Sequence, residues 1–131
     1  MAWTVLYARD FVPEVQAMLA AVRIKLAAMA RVLAAIGPEL SRPKADTLKG
    51  SKYKNMKELR FDADDGVWRA AFAFNPKQQA ILLVASDKKG ADEDAFYRGL
   101  IKVADERYSA HLTWLKLDDD RKKTEAKPSK T

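Results

Sequence analysis

Two short strand-like segments around an acidic turn are the feature that most constrains the fold. Residues 57–62 read KELRFD and residues 67–75 read VWRAAFAFN. The four residues between them, ADDG, are typical of a tight turn that ends in glycine. Because two strand-like segments flank this turn signal, the sequence predicts a β-hairpin.

The register of this hairpin follows from its apolar side chains. If Asp62 pairs with Val67, Phe61 stands opposite Trp68 and Leu59 opposite Ala70 on one face of the hairpin. On the other face, Arg60 stands opposite Arg69. Facing like charges cost a few tenths of a kcal/mol to about one. The arginine pair therefore indicates either an anion site or two long side chains that splay apart into water.

Most of the positive charge lies in and just before the hairpin. The chain has 24 Lys and Arg against 18 Asp and Glu, a formal net charge of +6. Residues 42–60 contribute a net +5, from seven basic and two acidic side chains: Arg42, Lys44, Lys49, Lys52, Lys54, Lys57 and Arg60, with Asp46 and Glu58. This concentration predicts an acidic or nucleic-acid partner.

The length of 131 residues and the 48% hydrophobic composition predict one domain with a real core. We assign it residues 1–117 and expect the charged residues 118–131 to form a disordered tail. The absence of cysteine excludes disulfides and cysteine-bound metal. Because no signal-peptide order and no apolar run of about 20 residues is found, we expect a soluble cytoplasmic protein.

The N-terminal third predicts a strand followed by helix. Residues 3–8, WTVLYA, are β-branched and aromatic, as in an opening strand. Apolar residues then recur every three or four positions up to residue 36, and Gly37-Pro38 ends the pattern. One long helix or a helical hairpin would satisfy this spacing. The stripe is typical of core, although its alanine-rich surface could also receive a partner helix.

The remaining segments complete an α+β fold with a small antiparallel sheet. Residues 41–56 read as a lysine-rich loop, and residues 80–86, AILLVAS, as a strand buried on both faces at the sheet centre. A last helix, which begins near the acidic residues 92–94, is expected to pack on one face. Its Tyr108 and His111 lie on the apolar stripe and are more typical of packed residues than of catalytic ones.

The residue types exclude most catalytic classes. One histidine and scattered acids do not give metal-ligand spacing, no Walker or dinucleotide glycine pattern occurs, and no serine or cysteine has a positioned base. The sequence thus predicts neither metal nor cofactor. What remains is a cluster of cations on a sheet, which can stabilise a phosphorane-like transition state. That chemistry suits metal-free RNA cleavage, in which the 2′-hydroxyl attacks its own phosphate.

A family resemblance supports this interpretation. The blocks GPEL, RPKADTLKGS, NMKELRFDADDGVWRAAFAF, AILLVASDKK and FYRGLIKVADERYSAHL, in this order, resemble the RelE/ParE-superfamily toxins, and within them the HigB-like, phage-derived branch. The resemblance implies a small antiparallel sheet with helices on one face and a basic concave surface on the other. It also implies a ribosome-dependent, metal-independent mRNA endonuclease, neutralised by an antitoxin that has a helix-turn-helix domain and is encoded by the adjacent gene.

The resemblance also assigns site residues by position. Arg60 and Arg69 match the strand arginines that hold the scissile phosphate, and Lys88 matches a basic residue at the site; these three are the predicted catalytic residues. The predicted RNA-binding residues are the neighbouring lysines: Lys52, Lys54, Lys57 and Lys89. Proton transfer is assigned to one of Lys54, Lys57 or Asp87, and a lysine base would need a depressed pKa.

The chain also departs from the family pattern, which keeps two alternatives open. Asp87 stands where many members have an aromatic residue, no proline occurs near Leu19, and no family acid or base transfers onto Tyr108 or His111. The first alternative is a ParE-type toxin that inhibits DNA gyrase by binding. The second is a non-toxic basic module that binds nucleic acid or protein without cutting.

Overall fold

The computed structural model describes residues 2–126 and shows an α+β fold, as predicted. Its elements in chain order are β1 (Val5–Tyr7), α1 (Val12–Ala17), α2 (Ala20–Ile36), a 3₁₀ helix (Gly37–Glu39), β2 (Ala45–Thr47), β3 (Lys57–Ala63), β4 (Gly66–Phe74), β5 (Ala80–Asp87) and α3 (Glu93–Ala126). Among the described residues, no helix is long and apolar enough to cross a bilayer.

The five strands form one sheet in the order β1-β5-β4-β3-β2. β1 runs parallel to β5 and every other pairing is antiparallel, so the predicted antiparallel sheet is in fact mixed. β5 has neighbours on both sides and its first five residues are buried, as its unbroken apolar run predicted. β2 lies in residues predicted to be loop, because three residues, two of them Ala and Asp, give no strand signal.

The N-terminal helical segment is two helices, which settles the alternative left open by the apolar spacing. Met18 and Leu19 separate α1 from α2 with extended ψ angles of 151° and 146°. The guanidinium of Arg23 donates a hydrogen bond to the Met18 carbonyl (3.2 Å), one of the carbonyls that α1 leaves free at its end. The helix therefore breaks without proline or glycine.

α2 and α3 contact opposite faces of the sheet. On β3, the Lys57 ammonium donates to the carbonyl of Pro38, just beyond α2 (3.0 Å), whereas the Glu58 carboxylate accepts from the hydroxyl of Tyr97 on α3 (2.9 Å). Successive residues of a strand point to opposite faces. The expectation of helices on one face and an open basic surface on the other is therefore corrected, because α3 covers part of the second face.

α3 continues well beyond residue 117. The expectation of a disordered tail is wrong for residues 118–126, which are helical, while residues 127–131 lie outside the described part of the chain. Arg121 forms ion pairs with Asp118 and Glu125, both at 2.9 Å and one turn away on the same helix. Pairs at this spacing support a helix whose composition alone resembles that of a disordered segment. The domain boundary at residue 117 stays a prediction.

Candidate functional site

The hairpin of β3 and β4 has the predicted register. Asp62 pairs with Val67, and Arg60 stands directly opposite Arg69. The connecting residues Asp64 and Asp65 both have positive φ angles, 48° and 64°, as a two-residue hairpin turn requires. The two arginines therefore lie side by side on the face that α3 partly covers.

The two arginines differ in exposure and in bonding. The side chain of Arg60 is 27% exposed, and that of Arg69 is 8% exposed. Arg69 donates from Nη1 to the carbonyl of Trp68 (2.9 Å). Within residues 2–126, its buried Nε has no hydrogen-bond partner. A buried donor without an acceptor is uncommon, and this one belongs to a group that binds carboxylates and phosphates well.

The carboxylate of Glu58 lies between the arginines. Its Oε2 is 3.4 Å from Arg60 Nη1, its Oε1 is 3.7 Å from Arg69 Nε, and the residue is 4% exposed. Burial raises the pKa of Glu58, against the lowering effects of the Tyr97 hydroxyl and the two arginines. The sequence reasoning missed this role, although alternation places Glu58 on the same face as Arg60 two residues later.

Lys88 lies between β5 and α3, and its side chain contacts the first turns of α3 on the same face. Its ammonium lies 5.6 Å from the ring centroid of Tyr97 and donates to Glu93 (3.1 Å). The Tyr97 hydroxyl in turn donates to Glu58 Oε1 (2.9 Å). The structure thus links the three predicted catalytic residues, Arg60, Arg69 and Lys88, through two residues that the sequence did not single out.

Other predicted site residues have different surroundings. Lys57 points to the α2 face, so the structure does not bring it to the arginine pair. Asp87 accepts from the backbone N–H groups of Val67 and Lys89, both at 2.9 Å, and so fixes the end of the hairpin. Lys89 Nζ lies 4.0 Å from the carboxylate of Asp65 in the turn.

Lys52 and Lys54 lie in the loop between β2 and β3, which is fastened to α3. The backbone N–H of Lys52 donates to Asp105 (3.1 Å), and its ammonium lies 5.2 Å from the ring centroid of Tyr53. Lys54 is exposed. A cleft of about 560 Å³ lies between part of this loop and α3, and its lining includes Tyr97, three basic side chains and one acid: Lys49, Arg98, Lys102 and Asp94.

Tyr108 and His111 occupy the other end of the sheet. Tyr108 donates its hydroxyl to the carbonyl of Phe74 (3.0 Å), and His111 Nε2 lies 3.0 Å from the side-chain nitrogen of Asn75. Burial lowers the pKa of His111. These contacts join α3 to the end of β4, away from the arginine pair. In the part of the chain that the structure describes, no three His, Asp or Glu side chains are grouped as a metal site would require.

Sequence comparisons find similar proteins over most of the chain. The profile of the family described as "Phage derived protein Gp49-like (DUF891)" matches residues 13–109. Two proteins of Mycobacterium tuberculosis (strain ATCC 25618 / H37Rv), both named as toxin candidates, are also similar. HigB2 is 45% identical over 82 residues, which cover 62% of this chain and 40% of that protein. HigB3 is 44% identical over 86 residues, which cover 61% of this chain and 73% of that protein. The match thus spans less than half the length of HigB2.

Two solved structures share the fold at low sequence identity. One is Escherichia coli toxin RelE, a double arginine-to-alanine mutant in the free state, with a TM-score of 0.56, 10% identity, and coverage of 77% of this chain and 95% of that one. The other is a chain of the archaeal RelE-RelB complex from Pyrococcus horikoshii OT3, with a TM-score of 0.50, 16% identity, and coverage of 70% and 100%. These likenesses confirm the predicted RelE-like fold.

Proposed function

Because the chain belongs to the phage-derived Gp49-like family, and is a HigB-like protein of the RelE superfamily, we propose that it is the toxin of a type II toxin-antitoxin pair that cuts mRNA on the translating ribosome. The observation that carries this proposal is the arginine pair. Arg60 and Arg69 stand side by side on one face of the hairpin, and within residues 2–126 the buried Nε of Arg69 makes no hydrogen bond, with the Glu58 carboxylate 3.7 Å away. Such a pair suits the phosphate of a nucleic acid.

In the proposed reaction the RNA supplies its own nucleophile. The 2′-hydroxyl oxygen bonds to the adjacent phosphorus while the bond from phosphorus to the 5′-oxygen breaks, which leaves a cyclic phosphate and a free 5′-hydroxyl. Arg60 and Arg69 stabilise the charge on the non-bridging oxygens, and Lys88 adds a third cation. One proton leaves the 2′-hydroxyl and one reaches the 5′-oxygen. Of the candidates for proton transfer, Lys57 and Asp87 are held by other contacts, and Lys54 follows Tyr53, whose ring packs on Tyr108 at the far end of the sheet. Proton transfer therefore stays unassigned among the three.

The proposed partners follow from the same surface. Ribosome and mRNA are the substrate complex, which places the protein in the cytoplasm. The inhibitor is an antitoxin with a helix-turn-helix domain, encoded by the adjacent gene, that covers the cationic face. The name of the archaeal RelE-RelB structure, a two-protein complex, supports a dedicated protein partner. Co-expression with the product of the adjacent gene should give a stable complex without RNA cleavage. Failure of the two purified proteins to associate would contradict this partner.

The test is primer extension on a defined mRNA in a bacterial translation extract. We compare wild type, the double variant Arg60→Ala and Arg69→Ala, and the double variant Lys25→Ala and Arg31→Ala. The last removes two exposed cations from α2, so its net charge matches that of the arginine variant. Cuts should appear only during translation, remain in the α2 variant, and fall by at least about 100-fold in the arginine variant. Intact mRNA with folded wild type would refute the nuclease and direct us to a gyrase supercoiling assay.

A further inference from the structure

The least expected group in the site is the buried acid at position 58. A carboxylate next to a phosphate site repels the substrate, so a role in binding RNA directly would be unfavourable. Yet Glu58 is more deeply buried than Arg60 and lies within 3.7 Å of both guanidiniums. It also accepts a hydrogen bond from Tyr97 on α3. Three elements, β3, β4 and α3, therefore meet at this one carboxylate.

Glu58 offsets the repulsion between the facing arginines. Two guanidiniums directly opposite each other on neighbouring strands repel, and the repulsion grows when one of them is as buried as Arg69. Because Glu58 Oε1 faces Arg69 and Oε2 faces Arg60, one carboxylate draws both guanidiniums to the same point. The two side chains are thereby kept from splaying apart into water.

These contacts are longer than those that an arginine makes with a phosphate. The 3.7 Å separation between Arg69 Nε and Glu58 Oε1 exceeds hydrogen-bond length, and the 3.4 Å contact of Arg60 is at its upper end. Charge-assisted contacts between arginine and phosphate are typically 2.7–2.9 Å, roughly 0.5 Å or more shorter. A phosphate can therefore displace the carboxylate from the arginines, while the carboxylate keeps its hydrogen bond from Tyr97.

We propose that Glu58 is a positioning residue: it is the internal counter-ion that aligns Arg60 and Arg69 in the free protein and gives them up to the scissile phosphate. The inference rests on the proposed function, because it assigns the ligand of the arginine pair as an RNA phosphate. It predicts that losing the carboxylate changes RNA affinity and cleavage rate in opposite directions, which a purely structural residue would not do. Without the carboxylate charge, RNA should bind more tightly but be cut more slowly.

Binding and cleavage are measured separately to test this. The binding probe is a fluorescent 2′-O-methyl oligoribonucleotide, which has no free 2′-hydroxyl to attack the phosphate, and its Kd is measured by anisotropy at fixed salt. For Glu58→Gln the Kd should fall about tenfold, as expected from the loss of one charged competitor. The cleavage rate on the ribosome should fall about tenfold, since the guanidiniums lose their alignment. The matched control is Asp62→Asn, an exposed acid on the same strand, whose Kd and rate should change less than twofold.

A second variant keeps the test valid if Glu58→Gln does not fold. Glu58→Asp retains the charge but shortens the side chain by one methylene, so its carboxylate is withdrawn from the arginines and the Kd should fall about threefold. Thermal melts identify folded variants. A Kd that is unchanged or higher in the folded variants would overturn the proposal. If wild type binds the probe but never cuts mRNA, the proposed function fails, whereas the Kd comparison still decides the role of Glu58.

Discussion

The two faces of the β3–β4 hairpin are built from alternate residues of the same strands, yet they are stabilised in different ways. On the α2 face, Leu59, Phe61, Ala70 and Phe72 are buried in the hydrophobic core. On the α3 face, an acid and two arginines are partly or fully buried around one another. Apolar burial is non-directional and tolerates small shifts, whereas buried charges require specific partners. The comparison shows that the charged site obtains its geometry from the register that the apolar face fixes.

The largest expected loss of stability is on the α2 face. Leu59→Ala removes a fully buried side chain from the centre of β3 and should lower the free energy of unfolding by about 3 kcal/mol, measured by urea denaturation. Lys54→Ala, in an exposed loop, is the control and should change it by less than about 0.5 kcal/mol. A loss below about 1 kcal/mol for Leu59→Ala would show that the apolar face does not hold the register.

A somewhat smaller loss of stability is expected on the α3 face, where the cost of a substitution depends on whether it leaves a buried charge without its partner. Arg69→Met leaves the buried carboxylate of Glu58 with one cation fewer and should cost about 2 kcal/mol. If the cost comes from the unpaired charge, adding Glu58→Gln to Arg69→Met should restore about 1 kcal/mol. Urea denaturation of both single variants and the double variant gives this coupling energy. Strictly additive losses would mean that the two charges are not coupled, and that the α3 face is stabilised in the same way as the α2 face.

The contrast between the faces also explains what the sequence could predict. The hairpin register, the facing arginines and the buried β5 depend on alternation and apolar runs, which are local properties of the sequence. The contact between Tyr97 and Glu58 joins residues 39 positions apart and depends on the path of α3 across the sheet. Alternation places Glu58 beside Arg60, but nothing local shows which helix residue covers it.

The open alternative in the N-terminal helices and the wrong expectation for the tail have a similar cause. The apolar spacing runs without interruption through Met18 and Leu19, so it cannot show that two extended residues and the Arg23 side chain end α1 there. Composition alone predicts a disordered tail, because it ignores the spacing of the charged residues. Arg121 lies three residues after Asp118 and four before Glu125, and such pairs favour helix even where apolar residues are few.

The hydrogen bond from Tyr97 on α3 to Glu58 on the charged face should make an intermediate contribution to the free energy of unfolding. Tyr97→Phe removes the hydroxyl that donates to buried Glu58 and should lower the free energy of unfolding by about 1 kcal/mol. Tyr7→Phe is the matched control, since the Tyr7 ring stacks on Phe11, and it should cost less than about 0.5 kcal/mol. Guanidinium chloride denaturation compares the two variants. Equal losses would remove Tyr97 as a specific partner of the charged face.

The smallest effect is expected where an ion pair is not buried. Glu14 on α1 accepts from Arg107 on α3 (2.8 Å for Nη1 to Oε1), and this hydrogen bond lowers the pKa of Glu14. A lowered folded-state pKa stabilises the protein above the unfolded pKa of the carboxyl, and the stabilisation is lost as pH falls through the folded value. Because Glu14 is 45% exposed, solvent screening limits the contribution to about 0.5–1 kcal/mol.

Glu14→Gln should therefore lower the free energy of unfolding by that amount at pH 7, and the difference from wild type should shrink as pH falls below about 4, as thermal melts across pH would measure. Glu106→Gln, the same change on α3 next to Arg107, is the control and should show a smaller difference at pH 7. A difference for Glu14→Gln that persists at pH 3 would mean that the shape of the side chain, rather than its charge, joins α1 to α3. In that case this contact would depend on packing, as the α2 face does, rather than on charge, as the arginine site does.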